Sequence, residues 1–451
     1  MPRGIKNKLK FTHTQLIAVS FLLVIAIGCG LLCLPAATKD SGGASFGDAL
    51  FTSVSATCVT GLVVRDTFTH WSSFGQAVIL CMIQVGGLGL MTIISLFFLF
   101  AGKRLSLQDR KLMMQSSGTD RMDVGLSAFV RNIVIGTLSV ELLAAVVLAF
   151  RFVPSLGWGK GIWYSVFHSV SAFCNAGFDL FGRNAAFSSL TTVASDPVII
   201  ITLGVLILIG GTGFLVWNDL ISNRFRLSRC TLHTKIALSA STVLLIGGWV
   251  LMLVFEYSSP AFGEFNLWEK LYHSFFAAIT PRTAGFNAVP FEKMSESGIM
   301  LTMLLMLIGG CSGSTAGGMK TTTVSVLFFA TIACARKDKS VNAYKKRIDD
   351  DTVRQASAIA IIYIVAAALA TMVICAVEPL GLKEALFEVV SAVGTVGLSM
   401  GATPNLSVIS KIILMILMFA GRLGGLTFIL SLAEKRSHPP VERPLGKVLI
   451  G

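Results

Sequence analysis

At 451 residues, 54% hydrophobic and only 14% charged, with a mean hydropathy of +0.76, the chain is too apolar for a soluble protein. Its formal net charge of +13 would suggest nucleic acid as a partner in a soluble chain. Lys and Arg, however, collect in five stretches, at 3–10, 102–131, 222–235, 334–354 and 435–447. The positive-inside bias makes these stretches cytoplasmic, so the charge records topology and excludes a nucleic-acid footprint.

Charge-free runs at 11–38, 67–102, 197–218, 236–255, 297–319 and 355–377 can each hold the ~20 apolar residues that cross a bilayer as helix. The first is read as a retained span, because its apolar part is too long for a secretory signal and no convincing cleavage site follows. In chain order the sequence predicts a span over about 14–34, a re-entrant segment over 46–61 and a return over 74–101. The same triplet recurs at 129–150, 161–177 and 197–221, at 236–255, 267–285 and 298–333, and at 356–376, 383–397 and 409–432. The expected fold is all-α and integral to the membrane, with four tandem helix–pore-helix–filter–helix repeats around one pseudo-fourfold pore. The repeats run over 1–104, 128–222, 235–335 (second helix broken) and 354–433, followed by a cytoplasmic tail at 434–451. Eight spans put both termini in the cytoplasm. The runs are too long for membrane strands and lack sustained alternation.

The re-entrant segments carry the repeat. Thr57-Cys58-Val59-Thr60-Gly61 ends the first, Phe173-Cys174-Asn175-Ala176-Gly177 the second, Pro281-Arg282-Thr283-Ala284-Gly285 the third and Val393-Gly394-Thr395-Val396-Gly397 the fourth. The closing glycines are 116, 108 and 112 residues apart, a period that marks a repeat architecture. Each segment is too short to span, so its turn places non-helical backbone at membrane depth, which is tolerated only in a protein interior or a water-filled cavity. Four such turns around an axis supply rings of carbonyls that replace a cation's hydration shell. The partly negative C-termini of the short helices favour a cation too.

With Thr-Pro-Arg-Thr-Ala-Gly-Phe-Asn at 280–287 and Phe-Glu-Val-Val-Ser-Ala-Val-Gly-Thr-Val-Gly-Leu-Ser at 387–399, the chain resembles the Ktr/Trk/HKT superfamily of potassium transporters over nearly its whole length. It is most similar to bacterial membrane subunits of the Ktr type. The resemblance implies potassium uptake across the plasma (inner) membrane, a homodimer with one pore per protomer, and a cytosolic ring of nucleotide-binding regulatory subunits. It implies potassium as substrate, sodium as a further substrate or an activator, and no covalent cofactor. A Ser at the first filter glycine accompanies sodium preference in plant relatives, so Gly61 favours potassium. The four filter sequences differ from one another, which implies looser selectivity than in a channel with four equal segments.

A second glycine cluster follows in each repeat: Gly86-Gly87-Leu88-Gly89, Gly210-Gly211-Thr212-Gly213, 309–318 and Gly421-Arg422-Leu423-Gly424-Gly425. In three repeats the expectation is close packing of small residues. The third is longer, Gly309-Gly310-Cys311-Ser312-Gly313-Ser314-Thr315-Ala316-Gly317-Gly318, and its Gly and Ser disfavour helix. A polar loop beneath the filter is expected there, and the resemblance implies that it obstructs the pore and moves on opening. Residues 313–321 also look like a phosphate-binding loop. An extra residue precedes Lys320, however, and no preceding strand sets up a βαβ unit. No His-Glu-x-x-His motif supports an intramembrane enzyme. A secondary carrier with a midplane site in a broken helix is the alternative, but four units of one orientation favour a pore.

Ionisable residues at depth are functional candidates. Arg422 and Lys320, the latter just past the loop, are each assigned to gating or to a helix-packing salt bridge. Glu141 is read as a structural bond. Asp179 is either a cation-concentrating group at the outer mouth or a solvated loop residue. Arg282 must turn away from the ion path, and an acidic partner is required for it. Glu388, in the neighbouring pore helix, is the expected brace.

Overall fold

The computed structural model describes residues 13–40, 42–89, 126–183 and 185–425. The basic stretches at 3–10 and 435–447, most of that at 102–131, the end of the 74–101 span and the tail at 434–451 lie outside them. The described chain is helical throughout, apart from one two-stranded hairpin.

In order, the first unit contains α1 (His13–Leu32), α2 (Phe46–Thr57) and α3 (Ser73–Leu88). The second contains α4 (Leu126–Leu156), α5 (Trp158–Phe173), α6 (Pro197–Thr212) and α7 (Phe214–Ser222). The third contains α8 (Leu232–Glu256), α9 (Leu267–Ile279), α10 (Glu296–Leu307) and α11 (Thr321–Ala335). The hairpin of β1 (Asn342–Ala343) and β2 (Lys346–Arg347) leads into the fourth, α12 (Asp350–Val377), α13 (Leu382–Gly394) and α14 (Val408–Leu423).

Among the described residues α1, α4, α8 and α12 contain stretches long and apolar enough to cross a membrane. α6 and α7 form one further span only as a pair, bent by 85°. α2, α5, α9 and α13 have 12, 16, 13 and 13 residues, about 18–24 Å at 1.5 Å per residue, which is short of the hydrocarbon core.

Local chemistry sets these lengths. The helices that follow the four short ones start on matching caps: the side chains of Ser72, Asp196, Ser295 and Ser407 accept from the first-turn amides of α3, α6, α10 and α14. Three of them, α3, α6 and α14, stop on matching glycines, Gly89 (φ 81°), Gly213 (φ 95°) and Gly424 (φ 86°), in a left-handed region closed to most residues. The glycine clusters of α3, α6 and α14 therefore also end their helices, a role the packing expectation did not include. Packing is present as well: a Cβ on Gly86, Gly210 or Gly421 would overlap the carbonyl oxygen of Thr57, Phe173 or Val393, at or next to the end of a pore helix. Three residues later the helix itself ends.

Freed backbone groups need partners at membrane depth, and two breaks supply each other. Between α10 and α11, the Cys311 amide donates to the Gly211 carbonyl (2.9 Å) and the Thr315 amide to the Gly210 carbonyl (3.3 Å). The Phe214 amide donates in return to the Gly313 carbonyl (2.8 Å). The loop over 308–320 is therefore bonded to the elbow of α6 and α7.

Candidate ion-conducting site

The four short helices α2, α5, α9 and α13 each end in a turn of the same shape. Val59 (φ 56°), Asn175 (φ 59°), Thr283 (φ 63°) and Thr395 (φ 51°) are left-handed, and so, two residues on, are Gly61 (95°), Gly177 (69°), Gly285 (76°) and Gly397 (90°). Left-handed backbone in Val and Thr is uncommon and costly, yet it recurs at one position in four segments. All residues of these turns, from Thr57 to Gly61, Cys174 to Gly177, Arg282 to Gly285 and Gly394 to Gly397, are buried.

The glycines touch in chain order. A Cβ on Gly61 would lie 2.5 Å from the Ala176 carbonyl oxygen, one on Gly177 2.8 Å from that of Ala284, and one on Gly285 2.5 Å from that of Val396. One on Gly397 would overlap the Thr60 carbonyl oxygen, which closes the ring. Each glycine thus faces the carbonyl that precedes the next glycine, and any side chain there would push into the ring.

Hydroxyls at or just past the C-terminal ends of the four short helices hold these turns. Ser55 Oγ accepts from the Gly61 amide (3.1 Å) and Ser391 Oγ from the Gly397 amide (3.0 Å). Ser171 Oγ donates to the Phe178 carbonyl (2.7 Å) and Thr280 Oγ1 to that of Phe286 (2.6 Å). Sequence reasoning gave these four no role, although a Ser six residues before the closing glycine in three copies was a usable signal.

A cavity of about 510 Å³ opens over the ring and is lined by all four glycines together with Asp66, Asp179 and Glu292. Asp179 is half-buried and accepts from the Phe181 amide (3.0 Å). Burial pushes its carboxyl up to about 6, only partly offset by that bond. Asp66 ties the first post-filter loop to the second, accepting from the Phe187 amide (2.9 Å).

The loop over 308–320 meets the base of the same turns. Thr315 Oγ1 donates to the Phe173 carbonyl (3.1 Å) and lies 3.4 Å from the Asn175 amide group. A Cβ on Gly317 would overlap Thr395 Oγ1, and one on Gly318 would lie 2.8 Å from the Gly394 carbonyl oxygen. Lys320, the residue that precedes α11, donates Nζ to the Ala316 carbonyl (2.6 Å) and so closes the loop on itself. Arg422 occupies the position held by Gly87 and Gly211 in the first two repeats. Its guanidinium donates to the carbonyls of Thr315 and Gly86, and to that of Gly87 at 3.3 Å. Its partners are thus carbonyls on the loop and on the open end of α3, with no carboxylate among them.

The expected Arg282–Glu388 brace is not formed. Arg282 Nη2 donates to Ser241 Oγ on α8 (3.0 Å), and Nε has no partner among the described residues. Glu388 accepts from Ser399 Oγ, Thr403 Oγ1 and the Met400 amide (3.1 Å). Depth is the reason. Glu388 lies six residues before the end of α13, about 9 Å up the helix axis, where the chain leaving the fourth turn passes it. Arg282 sits near the base of its turn.

Helices long and apolar enough to cross a membrane, together with four short helices whose end turns meet, define a helical membrane protein, and the comparisons narrow this. The TrkH family, described as cation transport protein, matches residues 6–439. The chain is 38% identical to the "Potassium/sodium uptake protein NtpJ" of Enterococcus hirae, over 100% of this chain and 99% of that one. It is 39% identical to the "Ktr system potassium uptake protein B" of Bacillus subtilis, over 98% and 97%. The crystal structure of the potassium transporter TrkH from Vibrio parahaemolyticus superposes with a TM-score of 0.74 at 17% identity, covering 96% of this chain and 87% of that one, and so shares the fold. The chain belongs to the TrkH family of cation transport proteins, a family of transporters and not of enzymes.

Proposed function

We propose that this chain is the membrane subunit of a potassium uptake system, whose pore runs through the ring of Gly61, Gly177, Gly285 and Gly397. The observation that carries the reading is the ring itself: four turns, each with two left-handed residues, in mutual contact through glycines and carbonyls. Carbonyls so exposed replace the hydration shell of a monovalent cation, and the C-termini of α2, α5, α9 and α13 add a favourable dipole. Eight spans in four pseudo-fourfold repeats, both termini cytoplasmic and a plasma-membrane location complete the proposal. Its relatives, named for potassium and for potassium/sodium uptake, support potassium as cargo and sodium as a second ion. The Ktr system in the name of one relative supports a separate regulatory component. We assign it to a cytosolic ring of nucleotide-binding subunits on a homodimer of this chain. The loop over 308–320, held beneath the turns by Arg422, is the gate.

The test is potassium and sodium flux into liposomes bearing the purified protein, wild type against Gly61→Ser. A Ser Cβ would press on the Ala176 carbonyl, so the ratio of potassium to sodium uptake is expected to fall. An unchanged ratio at normal flux would remove Gly61 from the filter.

A further inference from the structure

Beside the second turn lies a buried polar cluster that neither the ring nor the loop uses. Glu141, midway along α4, is 4% exposed. Gln84 on α3 donates Nε2 to Glu141 Oε2 (3.3 Å). The thiol of Cys174, the first residue after α5, stands 3.6 Å from Gln84 Oε1 and 3.9 Å from Glu141 Oε1. The Glu141 carbonyl also accepts from Ser169 Oγ (2.6 Å), which locks α5 to α4 at the same level. On the other flank, a Cβ on Gly87 would lie 2.6 Å from Cys174 Sγ, so the thiol is seated hard against α3.

No Lys, Arg or His among the described residues pairs with Glu141. Burying an unpaired carboxylate is expensive, so the neutral acid is the form this site accommodates. A neutral acid offers one O–H donor and one carbonyl acceptor, which suits Gln84 and Cys174 together. The leverage lies in position. Cys174 is the last right-handed residue of its turn (φ −73°) before left-handed Asn175 and the ring glycine Gly177. Any movement of its side chain passes straight into peptides whose carbonyls face the ring.

We propose that Glu141 and Gln84 are positioning residues for ion discrimination, a clamp that fixes Cys174 and through it the second filter segment. The proposal rests on the filter reading above. It also explains why a carboxyl is retained where a leucine would pack at lower cost: the site requires directional bonds to a thiol and an amide at once.

The experiment compares potassium and sodium uptake in liposomes bearing the full-length protein as wild type, Glu141→Leu, Gln84→Leu, Cys174→Ala and Glu141→Gln. The two Leu variants are expected to lower the potassium-to-sodium ratio about fivefold, a change on the scale of one lost hydrogen bond. Glu141→Gln keeps a donor and an acceptor in the same volume and is expected to retain most of the ratio. The Glu141→Leu/Gln84→Leu double variant should be no worse than the poorer single, because one clamp is lost only once. A normal ratio in both Leu variants, even with total flux reduced, overturns the proposal. If Glu141→Leu does not assemble, Gln84→Leu and Cys174→Ala carry the same test. Gly61→Ser in parallel separates the two ideas. A changed ratio there with unchanged clamp variants leaves the filter standing and removes the clamp, whereas no change in any variant removes the filter.

Discussion

Replacing Arg422 by Ala tests the gate. Its guanidinium makes three bonds, and they do not count equally. Those to Gly86 and Gly87 cap the open end of α3 and persist wherever the loop goes. Only the bond to the Thr315 carbonyl distinguishes a loop held under the turns from one swung away. A hydrogen bond from a charged donor is worth about 1.5–3 kcal/mol. Its loss shifts the loop equilibrium by the same amount, a factor of about 10–150 in the open-to-closed ratio. Basal potassium flux without any regulatory subunit is expected to rise by that factor, up to the ceiling at which every loop is open. The assay is flux into liposomes, with monodisperse elution from a sizing column as the control for assembly. Arg422→Lys, a compact ammonium without the planar fork, should fall between wild type and Ala. Flux within about twofold of wild type in assembled Arg422→Ala would refute the reasoning, because a shift so small is below the value of one such bond.

Three further outcomes are expected. Asp179 is held up at about 6 by burial, so its charge is present above that pH and lost below it. Lowering the outer pH from about 7.5 to about 5 should therefore reduce uptake with a midpoint near 6, and Asp179→Asn should flatten the profile. Ser391→Ala leaves the Gly397 amide without its acceptor, which should cost about 1–3 kcal/mol, read as a lower Tm and a reduced potassium-to-sodium ratio. Gly210→Ala would overlap the Phe173 carbonyl and should lower Tm with or without a regulatory partner, because it spreads α6 from the end of α5.

The legible features were those that only one residue type can supply. Where a Cβ would press on the carbonyl of the next segment only glycine fits, so Gly61, Gly177, Gly285 and Gly397 could be found by position alone, and the apolar runs around them by length. The breaks at Gly89, Gly213 and Gly424 were not legible, because a glycine inside an apolar run has the same composition whether it packs or bends. What decides is the partner: α6 can end at Gly213 because a loop about a hundred residues away bonds to the carbonyls it frees. The outer clasps were hidden for another reason, since four repeats solve one problem with different chemistry. Glu256 holds the Ser295 cap and Glu378 the Ser407 cap, Arg151 pairs with Asp196, and the Ala37 carbonyl accepts from the Ser72 amide. The function repeats and the letters do not.

The failed brace between Arg282 and Glu388 yields the last prediction. Sequence reasoning joined them because a buried Arg needs compensation and the nearest pore-helix acid lay in the adjacent repeat. Depth separates them. Glu388 ties α13 to the outgoing chain at Ser399, Met400 and Thr403, whereas Arg282 reaches back to Ser241 on the first helix of its own repeat. They share no partner, so their effects should add. Glu388→Gln is expected to loosen the outer mouth and Arg282→Met to relax the third turn against α8. The double variant should lie within about 0.5 kcal/mol of the sum, measured as Tm-derived stability and as the logarithm of the potassium-to-sodium ratio. A coupling of about 1.5 kcal/mol or more would mean that the two charges meet after all in the conducting state, and the separation by depth would then describe only one position of the filter.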